Sequence, residues 1–198
     1  KKALRAVHSA FYLSNQTISV GIIGAGLIGG TFLKQLSSQL TNLKKNSKVD
    51  IRVRGITNSK SMLLDQNEIS LSNWKADLEA KGSPLSIDEF TKHIQADHLP
   101  HSVLIDCTSD QKIASEYTEW FKRGFHIITP NKKSNTGSMD EYRAIRSAAR
   151  DKNRHFFYET TVGAALPVIN TLRDLVLTGD QILKIEGVFS GTLSYIFN

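Results

Sequence analysis

The stretch ISVGIIGAGLIGG at residues 18–30 decides the fold. Residues 18–23 form a largely apolar, β-branched run, which predicts a strand buried on both faces. The pattern GxGxxG follows directly, and an amphipathic run begins at Leu27. A strand, a glycine turn and a helix in this order are typical of a dinucleotide-binding βαβ unit.

Three glycines of this turn have separate physical roles. Gly24 permits the tight turn, Gly26 lets the backbone approach a pyrophosphate, and Gly29 lets helix and strand pack closely. The N–H groups at the start of the helix would face the phosphates. The candidate cofactor-binding residues here are Gly24, Ala25, Gly26, Leu27, Ile28 and Gly29. A glycine-rich turn without a ligand is the alternative.

Strand and helix signals alternate along the rest of the chain. We predict further strands at 51–57, 103–107, 125–129, 155–158 and 182–189, helices at 27–40, 70–81, 86–97, 111–122, 138–151 and 164–177, and a loop at 41–50. This alternation predicts an α/β fold with a doubly wound, mostly parallel Rossmann-type sheet. We expect the dinucleotide-binding domain to span 16–158 and a second, catalytic or dimerisation domain to begin at 159–198.

Composition excludes several classes of protein. Of the 198 residues, 40% are hydrophobic and 22% charged, and no apolar run approaches the ~20 residues that span a bilayer, so we expect no membrane partner. The single cysteine excludes a disulfide scaffold and a cysteine-based metal cage. We expect a cytoplasmic protein, with a plastid as the alternative if the source is a plant.

The net charge of +6 is concentrated in one window. Residues 122–154 hold nine basic and three acidic side chains, but no basic stripe with interleaved aromatic residues, so no nucleic-acid partner is expected. Four of the basic residues are spaced three or four apart, which predicts a solvated helix face. They are Arg143, Arg146, Arg150 and Arg154.

The end of the second strand favours NADP over NAD. An NAD site usually places an acidic residue there to bind the ribose 2′-hydroxyl. In this chain no acidic residue lies between the start of the predicted strand at Ile51 and Asp65. Asn58 and Ser59 can instead donate hydrogen bonds to a 2′-phosphate, and Lys60 can offset its charge. Arg54 is a weaker candidate because it lies inside the strand. A polar turn without a ligand is the alternative.

Two further strand ends carry candidate residues. Thr108 and Ser109 follow the third strand, where a cofactor contact and helix N-capping are equally good interpretations. Cys107 is favoured as a small buried thiol rather than a nucleophile. Lys132 follows the fourth strand, where it could hold the cofactor or polarise a substrate oxygen.

Several segments carry a family resemblance. GIIGAGLIGG (21–30), RVRGITNSKSMLL (52–64), VLIDCTS (103–109), HIITPNKKSNTGSMDEYR (126–143), YETTVGAALPVINTLRDLVLTGD (158–180) and KIEGVFSGTLSYIFN (184–198) occur in this order. With them the chain resembles homoserine dehydrogenase, most of all the dehydrogenase half of the bifunctional aspartokinase–homoserine dehydrogenases. Residues 1–15 resemble the linker from the preceding region of the bifunctional form.

The resemblance implies an activity and a set of contacts. The activity is the NADPH-dependent interconversion of L-aspartate 4-semialdehyde and L-homoserine, in threonine and methionine biosynthesis, by a homo-oligomer. It implies that the glycine turn, Asn58, Ser59, Thr108, Ser109 and Lys132 contact NADP, that Lys132 is catalytic, and that Gly191 and Thr192 border the substrate. It also implies a structural sodium or similar cation at Glu159, Val162, Ala164 and Leu166. The family's main catalytic Asp and Lys follow the last matching segment, so we expect this chain to be an inactive fragment of the enzyme.

Two other functions compete with this one. One is another NADP-dependent semialdehyde oxidoreductase, in which Cys107 would be the nucleophile. The other is a cofactor-binding or dimerisation module without catalysis.

Overall fold

The computed structural model describes residues 17–96, 99–164, 166–188 and 190–197, so the predicted linker at 1–15 lies outside the described residues. Seven strands form one sheet. They are β1 (Thr17–Ile23), β2 (Asp50–Thr57), β3 (Ser61–Leu64), β4 (Ser83–Pro84), β5 (His101–Asp106), β6 (His126–Ile128) and β7 (Phe156–Phe157). Their spatial order is β4-β3-β2-β1-β5-β6-β7. All neighbours pair in parallel except at β3 and β4, which extend one edge antiparallel. The predicted doubly wound, mostly parallel sheet is confirmed.

Helices connect the strands of this sheet. They are α1 (Leu27–Asn46), α2 (Trp74–Lys81), α3 (Ile87–Ile94), α4 (Gln111–Ser115), α5 (Tyr117–Arg123), α6 (Met139–Asp151), α7 (Val168–Leu177) and α8 (Gly191–Phe197). Short 3₁₀ helices lie at Lys132–Asn135 and Glu159–Thr161. α6 begins with the capping box of Ser138 and Glu141, because each side chain accepts a backbone N–H of the other residue.

The sheet is buried on both faces, because successive side chains of a strand point to opposite sides. Ile22 packs in a cluster with Leu33 of α1 and Val53 of β2. Ile23 packs in the opposite cluster, with Phe90 of α3 and Tyr117 of α5. This explains why β1 reads as a continuous apolar run.

The strand order reverses at β1, with β2 on one side and β5 on the other. In such sheets a crevice opens beyond the carboxyl ends of the strands at the reversal point. The predicted site residues at the ends of β1, β2, β5 and β6 are therefore brought to a single edge.

The predicted loop at 41–50 is wrong in its first part. α1 continues to Asn46, because Leu43 packs partly buried against the core and Lys44 Nζ lies 2.9 Å from Asp50 Oδ1 at the start of β2. The lysine-rich composition predicted a loop, but these lysines lie at the carboxyl end of a helix, where positive charge is favourable.

The predicted strand at 182–189 is also wrong over its described part, since residues 182–188 form no strand. Leu183 is 92% exposed and Val188 is 76% exposed, so these β-branched and apolar residues have no sheet beside them in the described structure. α7 and α8 likewise bury no residue. The apolar pattern of this region therefore faces outward.

The arginine-rich helix α6 is only partly the solvated face that its spacing predicts. Arg143 and Arg150 are exposed, but Arg146 is half-buried and its guanidinium lies 3.3 Å from the centre of the Tyr142 ring. With Arg154, these residues border a cavity of about 840 Å³ beside α7. The residues predicted to contact NADP do not line this cavity.

Among the described residues, no helix is long and apolar enough to cross a membrane.

Candidate cofactor site

The glycine turn has the geometry that its three glycines predict. Gly24 has φ +88°, which favours glycine, and a Cβ there would lie 2.6 Å from Thr108 Cγ2. A Cβ at Gly29 would lie 2.3 Å from the Gly24 carbonyl oxygen. At Gly26, in contrast, a Cβ would meet nothing within 4 Å. Gly24 and Gly29 are thus required by packing, whereas Gly26 leaves space free on the outer side of the turn.

The start of α1 is suited to bind an anion. Gly26 is the N-cap, no side chain of the described residues caps the helix, and the first turn holds no acidic residue. The N–H groups of this turn therefore keep their partial positive charge for another partner. The N–H groups of Gly24 and Ala25 are already used, since both donate to the Thr57 carbonyl at 3.0 and 2.7 Å.

Those two hydrogen bonds place the glycine turn beside the end of β2. There Asn58 begins the hairpin to β3, and its Oδ1 accepts the N–H groups of Lys60 and Ser61 at 2.8 and 2.7 Å. The Asn58 amide nitrogen remains as a donor, while Ser59 and Lys60 are exposed at the tip. The polar turn and the cofactor contact are therefore compatible interpretations of the same residues.

Arg54 is excluded as a ligand of a 2′-phosphate. Its side chain is 1% exposed, and it donates to the carbonyls of Gln66 and His93 at 3.0 and 2.9 Å. The guanidinium is a structural group within the fold, so the positive charge at this end of β2 comes from Lys60.

Thr108 and Ser109, which follow β5, do not cap the next helix. The N-cap of α4 is Asp110, whose carboxylate accepts the Lys112 N–H at 2.8 Å. Thr108 instead packs against Gly24 and accepts the Asp110 N–H at 3.2 Å, and Ser109 is exposed. The Thr108 side chain thus lies against the glycine turn, and the Ser109 hydroxyl lies in the loop beside it.

The two lysines after β6 are both exposed, and neither forms an ion pair within the described part of the chain. Lys133 borders a small cavity of about 100 Å³ between α4 and α6. Lys132 borders neither this cavity nor the larger one at the carboxyl edge of the sheet, which is lined by Pro130, two residues earlier.

That cavity has a volume of about 580 Å³. The first turns of α1 line one side of it, and the ends of β5, β6 and β7 line the other. Its lining includes Leu27, Ile28, Phe32, Cys107, Pro130 and Phe157. A cavity of this size with largely apolar walls is typical of a small-molecule site.

Cys107 borders this cavity but is not activated. Burial, and then the neighbouring Asp106 carboxylate, raise the pKa of its thiol to about 11. Nucleophilic cysteines instead have lowered pKa values, because the thiolate is the reactive form. This disfavours the semialdehyde oxidoreductase that would use Cys107 covalently.

We therefore expect iodoacetamide to alkylate Cys107 at pH 8 at least about tenfold more slowly than it alkylates the urea-unfolded chain. A raised pKa leaves roughly 0.1% thiolate at this pH, which outweighs the greater nucleophilicity of a more basic thiolate. Mass spectrometry of timed samples measures the rate, because the chain has a single cysteine. Equal rates in the folded and unfolded chains would contradict this assignment.

Glu159, one of the predicted cation ligands, has a clear structural role. Its two carboxylate oxygens accept the N–H groups of Ile169 and Asn170, each at 2.8 Å, and so cap the start of α7. The Leu166 carbonyl accepts the Val168 N–H at 2.9 Å. Among the described residues, no group of three or more His, Cys, Asp or Glu side chains could hold a metal ion.

The two residues predicted to border a substrate do not line this cavity. Gly191 and Thr192 begin α8 and are exposed, and neither is among the residues that line the 580 Å³ cavity. Their role stays a prediction.

Comparison with protein-family models gives two matches. Residues 24–159 match the model described as the NAD-binding domain of homoserine dehydrogenase, and residues 167–198 match the model of homoserine dehydrogenase. The first match covers the whole region from the glycine turn to Glu159.

Similar curated proteins are longer than this chain. It is 53% identical over its full length to a carrot protein named bifunctional aspartokinase/homoserine dehydrogenase, chloroplastic, and spans 22% of that protein. It is 37% identical over 187 residues to the homoserine dehydrogenase of Schizosaccharomyces pombe, covering 93% of this chain and 50% of that one.

Solved structures share the fold. A Candida auris protein described as of unknown function has a TM-score of 0.80 at 36% identity, covering 92% of this chain and 49% of that chain. A hyperthermophilic archaeal homoserine dehydrogenase in complex with NADPH has a TM-score of 0.67 at 20% identity, covering 82% and 50%.

Proposed function

The chain belongs to the homoserine dehydrogenase family, and from this we propose that it is the NADP-binding part of an enzyme that interconverts L-aspartate 4-semialdehyde and L-homoserine. The chain spans about a fifth of the length of the bifunctional relatives. We extend the proposal to a bifunctional protein, in which an aspartokinase would accompany this dehydrogenase part. The observation that carries it is the open, uncapped turn at Gly26, next to the cavity at the carboxyl edge of the sheet.

The residues of this chain would divide the work of binding. The first turn of α1 would hold the pyrophosphate by its N–H groups, and Asn58, Ser59 and Lys60 would hold the ribose 2′-phosphate. Thr108, Ser109 and Lys132 would contact the cofactor from the loops after β5 and β6. Bound NADPH would supply the hydride for reduction of the aldehyde. Lys132 would stabilise negative charge on the substrate oxygen.

Assay of the complete enzyme that contains this chain tests the activity. Homoserine-dependent reduction of NADP, followed at 340 nm, is the expected result. Lack of turnover with homoserine, together with NADPH binding by the same preparation, would favour the non-catalytic binding module instead.

We expect NADPH to bind at least tenfold more tightly than NADH, which corresponds to about 1.4 kcal/mol. The reason is that the end of β2 offers amide, hydroxyl and ammonium donors and no carboxylate. Ser59→Asp should reverse this preference, because its carboxylate would repel the 2′-phosphate and accept hydrogen bonds from a 2′-hydroxyl. Calorimetric titration of both cofactors measures the ratio.

Ser72→Asp is a matched control for that experiment. Ser72 is exposed before α2, so the substitution adds the same charge at a residue that is not assigned to the cofactor. We expect it to leave the NADPH/NADH ratio within about twofold of the original. Equal affinities of the unmodified chain for the two cofactors would contradict the assignment of NADP.

The remaining parts of the proposal concern assembly and location. We propose that residues 159–198 begin a second domain, whose exposed apolar side chains are covered by further chain or by a second copy. The plant relatives are named as chloroplastic, which favours the plastid over the cytoplasm. A sodium ion near Val162 and Ala164 would be bound mainly by backbone carbonyls, because these two side chains carry no oxygen atom. The Glu159 carboxylate is shared with the N–H groups of Ile169 and Asn170.

A further inference from the structure

The carboxylate of Asp106 is buried at the carboxyl end of β5. The residue is 0% exposed, and it forms no ion pair within the described part of the chain. Burying an unpaired carboxylate is costly unless hydrogen bonds replace its hydration. The donors to Asp106 therefore show which parts of the chain its carboxylate holds together.

Three neutral groups converge on this carboxylate. Oδ1 accepts the Thr108 N–H at 2.7 Å, and Oδ2 accepts the Asn131 side-chain amide at 3.0 Å. The Tyr117 hydroxyl also donates to Oδ2. Burial, and then the Asp106 charge, raise the pKa of Tyr117, so its hydroxyl stays protonated and remains a donor.

Asn131 carries the connection into the loop after β6. Its amide nitrogen also donates to the Asp110 carbonyl at 3.0 Å, and its Oδ1 accepts the Lys133 N–H at 3.1 Å. The side chain is 2% exposed, so water does not compete for these bonds. One buried amide thus joins the loop after β5 to the loop after β6.

The two loops joined in this way are those that border the proposed cofactor site. Thr108 packs against Gly24 of the glycine turn, and Lys132 lies between Asn131 and Lys133 in the chain. Asp106 and Asn131 touch both loops from below and do not line the cavity themselves.

We propose that Asp106 is a positioning residue, which acts through Thr108 and Asn131 to fix the two loops that hold the cofactor and Lys132. This inference rests on the proposed function. Because the Asp106 carboxylate accepts hydrogen bonds from both loops, it holds the two loops in one arrangement. The negative charge of the carboxylate strengthens each of these hydrogen bonds.

Asp106→Asn in the complete enzyme tests the inference. The substitution conserves shape but replaces one acceptor oxygen by a donor that faces other donors. We expect kcat/KM for homoserine to fall at least about tenfold per folded molecule, since misplacement of catalytic groups by as little as 1 Å can cost far more. The Kd for NADPH should rise in parallel.

Asp50→Asn is the matched control. Asp50 is a buried carboxylate at the opposite, amino end of β2, where it pairs with Lys44 and Arg52. It should lower the melting temperature and leave KM and the Kd for NADPH unchanged. If Asp106→Asn changes only the melting temperature, as this control does, the positioning role is wrong.

Asn131→Ala provides a second variant, which decides the question if Asp106→Asn does not fold. It leaves the carboxylate with two donors, and it removes the bonds of the Asn131 side chain to Asp106, to the Asp110 carbonyl and to the Lys133 N–H. We expect a similar fall in kcat/KM, and the double variant should lose no more than the worse single one, because both act through one connection. Unchanged kinetics in Asn131→Ala, or independent losses that multiply, would overturn the inference. Failure of the unmodified enzyme to oxidise homoserine or to bind NADPH would instead overturn the proposed function.

Discussion

Gly26→Glu is expected to lower the affinity for NADPH at least about 100-fold, or about 2.7 kcal/mol, without lowering the melting temperature. A Cβ at this position meets no other atom of the protein within 4 Å, so packing around the Cβ does not oppose the substitution. Its carboxylate would occupy the uncapped end of α1, where negative charge stabilises the helix but excludes a phosphate. Calorimetry and a thermal melt measure the two effects separately.

Ser37→Glu is the control for this experiment, because it adds the same charge at an exposed position further along α1. It should bind NADPH normally. Gly29→Ala gives the opposite pattern, since its Cβ would collide with the Gly24 carbonyl and so destabilise the fold. NADPH binding by Gly26→Glu within about threefold of the original would show that the pyrophosphate does not lie at this turn.

The glycine turn could be predicted from sequence because all of its determinants are local. A buried strand, the spacing of three glycines and the start of a helix lie within 13 residues, 18–30. The structure adds a distinction that the pattern does not contain. Packing forbids a side chain at Gly24 and Gly29, but not at Gly26.

The hairpin after β2 was not predicted as such, although its signal is in the sequence. Asn58 accepts two backbone N–H groups and so turns the chain into β3, which pairs antiparallel with β2. An Asn followed by small polar residues is a common turn former. A polar turn was the predicted alternative to a cofactor contact here, but the strand β3 that follows the turn was not predicted.

The errors in the C-terminal part have a different cause. The apolar and β-branched residues within 182–189 predict a strand by propensity, but a strand forms only where another strand can pair with it. Leu183 and Val188 are exposed, and the described residues 182–188 pair with no strand. Local sequence cannot show whether a partner strand is present.

The connection between Asp106 and Asn131 was inaccessible for the same reason. The residues are 25 positions apart, and only the parallel pairing of β5 with β6 places their ends side by side. The acidic residue at the end of β5 is visible in the sequence, but the sequence does not show that no cation of the described structure pairs with it.

Lys132→Ala in the complete enzyme is expected to lower kcat/KM for homoserine by at least 100-fold, since loss of one preorganised contact to a developing oxyanion typically costs about 10²–10³ in rate. Lys132 does not line the cavity itself, but Pro130, two residues earlier, does. The exposed Lys132 side chain has no ion pair in the described structure to hold it elsewhere. The melting temperature should change little, because the side chain is exposed.

Lys133→Ala is the control, because Lys133 borders the small cavity between α4 and α6, away from the cavity that Pro130 lines. Its kcat/KM should stay within about twofold of the original. The two substitutions remove the same charge from adjacent positions. A difference in kcat/KM between them therefore reflects where each side chain points, and not the change in net charge. Steady-state kinetics of both variants beside a thermal melt decides the matter. If Lys133→Ala proves the more damaging, the lysine that faces the reacting oxygen is Lys133, and the assignment of Lys132 is wrong.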